Sequence, residues 1–421
     1  MIYLDYNATT PLCDAAWRAM QPYFERHFGN PSSVHRAGRE TRAAVDDARD
    51  RLAALLGVKS HEIIFTSGGT EANNLALLGL ARRFAPKGKH LISNRAEHHA
   101  VLHTLEHLEA REGFEITWLD LSGEGLVDPE QLEGAIRPDT TLVSIMTANN
   151  ETGVLQPMAE ISARCRKQGV LLHSDMVQSF GKVIPSAVEG SRRTNEKVPL
   201  QTNASVPSTP NSFGARDDGL ALVDAASFSA HKFYGPKGAG FLYLRSGLPI
   251  DRIQFGGSHE GERRPGTENV PAIVGMAAAA EETMRSLAEE QEREDALRNE
   301  LWRGIEHIFP EAQLNAGRAP RLANTLNVTF PGFASETLLM ALDLEGICAS
   351  NGSACMVGSV VASHVLLAMG LSPERAASAI RFSLGKETTA SEIEQTVEAI
   401  ERIVRRLNSV GSANKAQHAL V

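Results

Sequence analysis

Cysteine is scarce in this chain. Cys13, Cys165, Cys348 and Cys355 are the four present among 421 residues, and no C-x-x-C pair occurs. So sparse a set excludes a disulfide framework and fits a reducing compartment. Long apolar runs are also missing, and none could span a bilayer. The start, Met1-Ile2-Tyr3-Leu4-Asp5-Tyr6, has neither the basic nor the apolar region of a secretory signal. No basic stripe is present, and the formal charge of -9 argues against nucleic acid as a partner. The expectation is a soluble cytoplasmic protein that engages neither membrane nor nucleic acid. A length of 421 residues is more than one typical domain holds, so a large and a small lobe are expected.

What is present is a regular alternation. Strands are predicted at Glu62–Thr66, His90–Ser93, Glu115–Leu119, Thr141–Met146, Val170–Ser174, Val223–Phe228 and Ala239–Leu244, with helical patterns between the earlier ones. This is the signature of βαβ units and an α/β fold with a mostly parallel seven-stranded sheet. The last link is too short for a helical crossover, so the final strand is expected to run antiparallel. A helix over 35–56 presents Ala44, Ala48, Leu52 and Leu55, and Gly57 stops it. Residues 190–218 are polar, rich in Pro and Ser and without period, which predicts a disordered insertion. Beyond a helical stretch near 271–303, strands at 322–330 and 379–384 alternate with helices at 336–343, 361–369 and 390–407. These indicate a smaller α+β domain, followed by a frayed tail over 409–421.

Polar motifs gather at the predicted carboxyl ends of the strands, where open α/β sheets place ligands. Ser229-Ala230-His231-Lys232 ends one strand. A lysine there, poorly hydrated, suits Schiff-base chemistry, and Ser229 and His231 can hold a phosphate. Ser67-Gly68-Gly69-Thr70 joins a strand to a helix and offers an anion cradle, or simply a tight turn. It lacks the Lys-Ser/Thr of a nucleotide-binding P-loop. His98, in Glu97-His98-His99, can stack on a flat ring, although a surface pair or metal ligands are alternatives. Asp175 can pair with a protonated pyridine nitrogen, or cap a helix. Lysine, carboxylate, histidine and anion site at one sheet edge fit pyridoxal 5'-phosphate (PLP).

Longer motifs carry a resemblance. They are Y-L-D-Y-N-A-T-T-P at 3–11, F-T-S-G-G-T-E-A-N-N-L at 65–75, E-H-H-A-V-L at 97–102 and N-N-E-T-G at 149–153. S-F-S-A-H-K at 227–232, R-P-G-T-E-N at 264–269, S-N-G-S-A-C at 350–355 and I-R-F-S-L-G at 380–385 follow in order. The chain resembles the cysteine desulfurases of the NifS/IscS type, among the class V aminotransferases of PLP fold-type I. The resemblance implies a large PLP-binding domain over 15–284. It implies a small domain from 1–14 and 285–408 that carries the catalytic cysteine loop.

Roles follow position by position. Lys232 would carry the cofactor, and Asp175 would pair with its ring nitrogen. Gln178 and Asn150 would lie near the ring hydroxyl, with Asn150 also at the substrate. His98 would stack on the ring and move protons. Gly69, Thr70, Ser229 and His231 would bind phosphate, and Thr267 would reach in from a second subunit of a homodimer. Arg381 would grip the substrate carboxylate. Cys355 would be the nucleophile that takes sulfur from L-cysteine, leaves alanine, and passes the sulfur to an acceptor such as an iron–sulfur scaffold. No resident metal is expected, and contact of Cys355 with an iron–sulfur cluster is confined to transfer. The run of small residues before Cys355 suits a thiol that must move. Rival readings are a selenocysteine lyase, a class V transaminase and a non-catalytic scaffold of the same fold. The chain departs from the family pattern at His99, where lysine is frequent, at Met356-Val357 after the cysteine, and in the insertion.

Overall fold

The computed structural model describes residues 1–183, 220–352 and 362–418. The expected insertion at 190–218 and Cys355 lie outside them. The chain opens with β1 (Ile2–Tyr3), then α1 (Asp14–Glu25) and α2 (Arg36–Leu56). His35 caps α2 by accepting from the Gly38 amide, and Gly57 ends it in the left-handed conformation at φ 67°. The buried face is Val45, Ala48, Leu52 and Leu56; Ala44 and Leu55 only flank it.

Alternation then sets in: β2 (Ile63–Thr66), α3 (Gly69–Phe84), β3 (His90–Asn94), α4 (His99–Glu112), β4 (Glu115–Leu119), α5 (Pro129–Ala135), β5 (Thr140–Ser144), α6 (Met158–Gln168) and β6 (Leu171–Asp175). After the undescribed segment come β7 (Ala225–Ser229) and β8 (Gly240–Leu244). The seven strands lie in the order β2-β8-β7-β6-β5-β3-β4. All neighbours are parallel except β8, which is antiparallel to both β2 and β7. Two reversals restore direction, so β2 ends at the same edge as β7, β6, β5 and β3. Buried side chains on both faces, such as Ile92, Val143, Phe228 and Phe241 on one side of the alternation and Ile64, Leu91, Leu142 and Leu242 on the other, cover the sheet.

The remainder builds a second core. α7 (Val270–Arg285) and α8 (Leu287–Ile308) replace the single helical stretch expected there. They part at Ser286, whose φ of -102° and ψ of 6° leave the helical range. β9 (Gln313–Leu314) and β10 (Thr325–Thr329) follow, then α9 (Ser335–Leu344), β11 (Ile347–Cys348), α10 (His364–Ala368), α11 (Pro373–Ala376), β12 (Ala379–Ser383) and α12 (Ala390–His418). β12, β10 and β9 form a three-stranded antiparallel sheet. Leu301, Ile305, Val328, Phe382 and Ile400 pack beside it. β1 pairs in parallel with β11, which ties the chain start to this second core. The expected frayed tail is corrected in part: α12 continues to His418, with no proline to stop it and good helix formers such as Ala413, Lys415 and Gln417 along the way.

Candidate active site

The strand ends converge on one cavity of about 340 Å³. Gly69, Thr70, His98, Asn150, Asp175, Gln178, Ser229, His231, Lys232 and Arg381 all line it. Sheet order explains this: β7, β6, β5 and β3 are consecutive neighbours, and each delivers a polar residue at its carboxyl end or in the loop that follows.

Lys232 follows β7 on a short 3-10 turn, and its Nζ donates to the carbonyls of Asn7 (2.6 Å) and Ala8 (2.7 Å). Asp175 ends β6 and is buried. Its Oδ2 accepts from Asn73 Nδ2 at 2.6 Å and its Oδ1 from the Val177 amide at 2.9 Å. The carboxylate thus serves the local turn as well as facing the cavity. Asn73 was missed by the sequence reading, and its own Oδ1 is buried with no partner.

His98 caps α4. Its Nδ1 accepts from the Ala100 amide at 3.1 Å, so in the neutral ring the proton sits on Nε2. Burial, above all, lowers its pKa. His99 lies 6.3 Å from His98 between ring centres and packs more closely on His364 (4.5 Å) and His103 (4.9 Å). Among the described residues no cluster of three or more His, Cys, Asp or Glu is arranged to hold a metal.

The anion cradle is sterically specified. Gly68 sits at φ 154°, which only glycine adopts readily, and a Cβ on Gly69 would lie 2.6 Å from Val177 Cγ2. Glu71 accepts from the Ser67 amide at 2.6 Å and from Arg264 Nε at 2.8 Å, which fixes the loop from outside. His231 Nδ1 lies 3.1 Å from Thr9 Oγ1, and burial, reinforced by Lys232, lowers its pKa to about 4.

Arg381 on β12 is almost wholly buried. Its Nη2 donates to Asp5 Oδ1 at 2.6 Å and its Nη1 to the Asn150 carbonyl at 2.9 Å. Nε is left with no partner. A buried guanidinium with a donor to spare is suited to a carboxylate. Beside it Glu151 accepts from Ser363 Oγ, and burial raises its pKa to about 7. Glu97, also buried, rises to about 8 for the same chief reason, and its Oε2 has no partner. Neither carboxyl was singled out as a site residue, because burial is invisible in a short polar motif.

Thr267 does not line the cavity. It is exposed, in a loop held by Arg264 to Glu71 and by Glu268 to Arg42 (2.6 Å). Of the other cysteines, Cys165 is buried, with its pKa raised to about 12 by desolvation, while Cys13 and Cys348 are half-buried.

The donor set fits PLP: a glycine-lined helix N-terminus for phosphate, a fixed buried carboxylate for a pyridinium N–H, and a lysine lining the same cavity. Comparison with known proteins agrees. The family model for aminotransferase class-V matches residues 2–187 and 221–396. A cysteine desulfurase IscS from Dictyoglomus turgidum is 43% identical over 409 residues, which is 97% of this chain and 96% of that protein. Another, from Anaeromyxobacter, is 43% identical over 97% of this chain and 94% of that one. A solved NifS-like protein superposes with a TM-score of 0.82 at 35% identity, covering 96% of this chain and 99% of that one. A solved structure described as SspA in complex with cysteine gives 0.75 at 32% identity over 91% and 99%. The chain belongs to the class-V aminotransferase family, within its cysteine desulfurases of the NifS/IscS type.

Proposed function

We propose that this chain is a PLP-dependent cysteine desulfurase that converts L-cysteine to L-alanine and takes the sulfur onto Cys355 as a persulfide. The observation that carries the reading is the single cavity that unites Lys232, Asp175 and His98 with the buried guanidinium of Arg381. PLP, when bound, supplies an electron sink at the substrate α-carbon. Lys232 Nζ moves the α-proton. Asp175, held by Asn73 and the Val177 amide, would favour a proton on the ring nitrogen. Arg381 would grip the substrate carboxylate, while Asn150 and Gln178 would lie near the ring hydroxyl. Gly69, Thr70, Ser229 and His231 would hold the phosphate. His98 Nε2–H stands ready to exchange a proton with the departing group. The Cys355 thiolate attacks the substrate sulfur: the carbon–sulfur bond breaks, a sulfur–sulfur bond forms, and a proton replaces sulfur on carbon.

The reading includes a homodimer, since Thr267 is exposed and away from its own chain's cavity and would complete the partner's phosphate site. It includes a cytoplasmic setting and delivery of sulfur to an acceptor protein such as an iron–sulfur scaffold. Among the described residues, no helix is long and apolar enough to cross a membrane. The division into a large domain over 15–284 and a small one over 1–14 and 285–408 belongs to the same reading, supported by the two separate cores. The test is formation of alanine from L-cysteine and, with a dithiol reductant present to release the persulfide sulfur, of sulfide in equal amount, with borohydride fixing the cofactor to Lys232. Alanine without persulfide on the enzyme, or the cofactor fixed to another lysine, would overturn the reading.

A further inference from the structure

A second lysine lies behind the first. Lys182 Nζ donates to Gln178 Oε1 at 2.7 Å and to Asn7 Oδ1 at 2.8 Å. The carbonyl of the same Asn7 accepts from Lys232 Nζ and from Gln178 Nε2 at 2.9 Å. Asn7 and Gln178 therefore lie between two lysines. An ammonium only donates, so Lys182 fixes the Gln178 amide with Oε1 on its own side and Nε2 on the other, where one N–H meets the Asn7 carbonyl and a second N–H remains. Lys182 is held in turn: its carbonyl accepts from Gln291 Nε2 at 2.5 Å.

We propose that Lys182 is a positioning residue that fixes the Gln178 amide with N–H toward the cofactor's ring hydroxyl and sets the charge felt by the Lys232 nitrogen. The proposal rests on the PLP reading above. The groups that bear on Lys182 come from several elements. Lys232 and Arg381 oppose its charge, and Glu294 on α8 favours it. Glu290, Lys386, Tyr6 and Tyr234 line the small cavity beside it. Burial, then Lys232, lowers the Lys182 pKa to about 7, and burial raises that of Glu294 to about 7. The network can thus change charge near neutrality.

The sign is testable without turnover. A positive charge at residue 182 disfavours a second one at Lys232, so it lowers the pH at which the visible absorption of the PLP-loaded protein changes. Lys182→Met should raise that midpoint by roughly half a pH unit or more, and Lys182→Arg, charged at every pH, should lower it. The affinity of the cofactor-free protein for PLP should fall about fivefold or more in Lys182→Met, because the freed amide can flip. Midpoints that stay put, or that move the same way in both variants, would overturn the proposal. Should Lys182→Met fail to fold, the direction of the shift in Lys182→Arg decides. A wild-type protein that takes up no PLP would overturn the cofactor reading itself, and this proposal with it; a normal wild-type titration with unmoved variants overturns this proposal alone.

Discussion

Arg381 shows how one side chain is made ready for a substrate. Its Nη atoms donate to Asp5 and the Asn150 carbonyl, so the guanidinium cannot swing away, and donors remain for the proposed substrate carboxylate. Lysine keeps the charge but not the planar fork. Arg381→Lys should raise KM for L-cysteine about tenfold or more, with a smaller change in kcat; an unchanged KM would place the carboxylate elsewhere. Glu97 bears on pH. Burial holds its folded-state pKa near 8, above the ordinary value of 4.5, so the folded protein keeps a proton that the unfolded chain gives up. That contribution to stability is present below pH 4.5 and is lost as pH rises toward 8. Glu97→Gln keeps the acceptors for the Met146 amide and Asn94 Nδ2. The variant should gain on the wild type by about 1–3 kcal/mol between pH 5 and pH 8 in urea unfolding of the loaded enzyme. A gap that does not widen with pH would show Glu97 ionised in the fold.

At the level of elements, packing governs chemistry it does not touch. Gly240 opens β8, outside the cavity, yet a Cβ there would lie 2.4 Å from the Phe228 carbonyl and 2.6 Å from Gly68 Cα. Gly240→Ala should push the Gly68-Gly69 loop aside and, on the proposed phosphate role of that loop, weaken PLP affinity about tenfold, with a stability loss of about 1–3 kcal/mol. Retained affinity would mean that the loop tolerates the shift. Strand ends were the legible part of the site. Lys232, Asp175, His98 and Gly69 stand out because periodicity marks where each strand stops and polar residues begin. Asn7 did not, since it lies in an N-terminal loop with no period, and its role comes from contacts with residues 143 to 376 positions away. Lys182 was hidden for the same reason. The break between α7 and α8 was missed because Ser286 carries no proline or glycine to announce it.

For the whole molecule, the proposed homodimer divides the site between what one chain holds and what a second would add. The two cores meet at the cavity through Arg381 and the Asn150 carbonyl, and β1 beside β11 ties the first residues to the second core. Thr267, in a loop pinned by Arg264 to Glu71 and by Glu268 to Arg42, lies outside its own chain's cavity, so the proposed phosphate site would take that hydroxyl from a partner. Heterodimers of a Lys232→Ala chain with a Thr267→Ala chain should therefore regain one working site, and confirmed heterodimers without activity would contradict a shared site. The fold and its family were legible in ordered motifs; the thiol that completes the reaction lies outside the described residues and is assigned by resemblance. The most direct measurement is peptide mass analysis after brief exposure to L-cysteine. The account predicts one extra sulfur on Cys355, absent from Cys13, Cys165 and Cys348, and loss of alanine formation in Cys355→Ala with PLP still bound. Wild-type alanine production by Cys355→Ala, or sulfur on another cysteine, would contradict it.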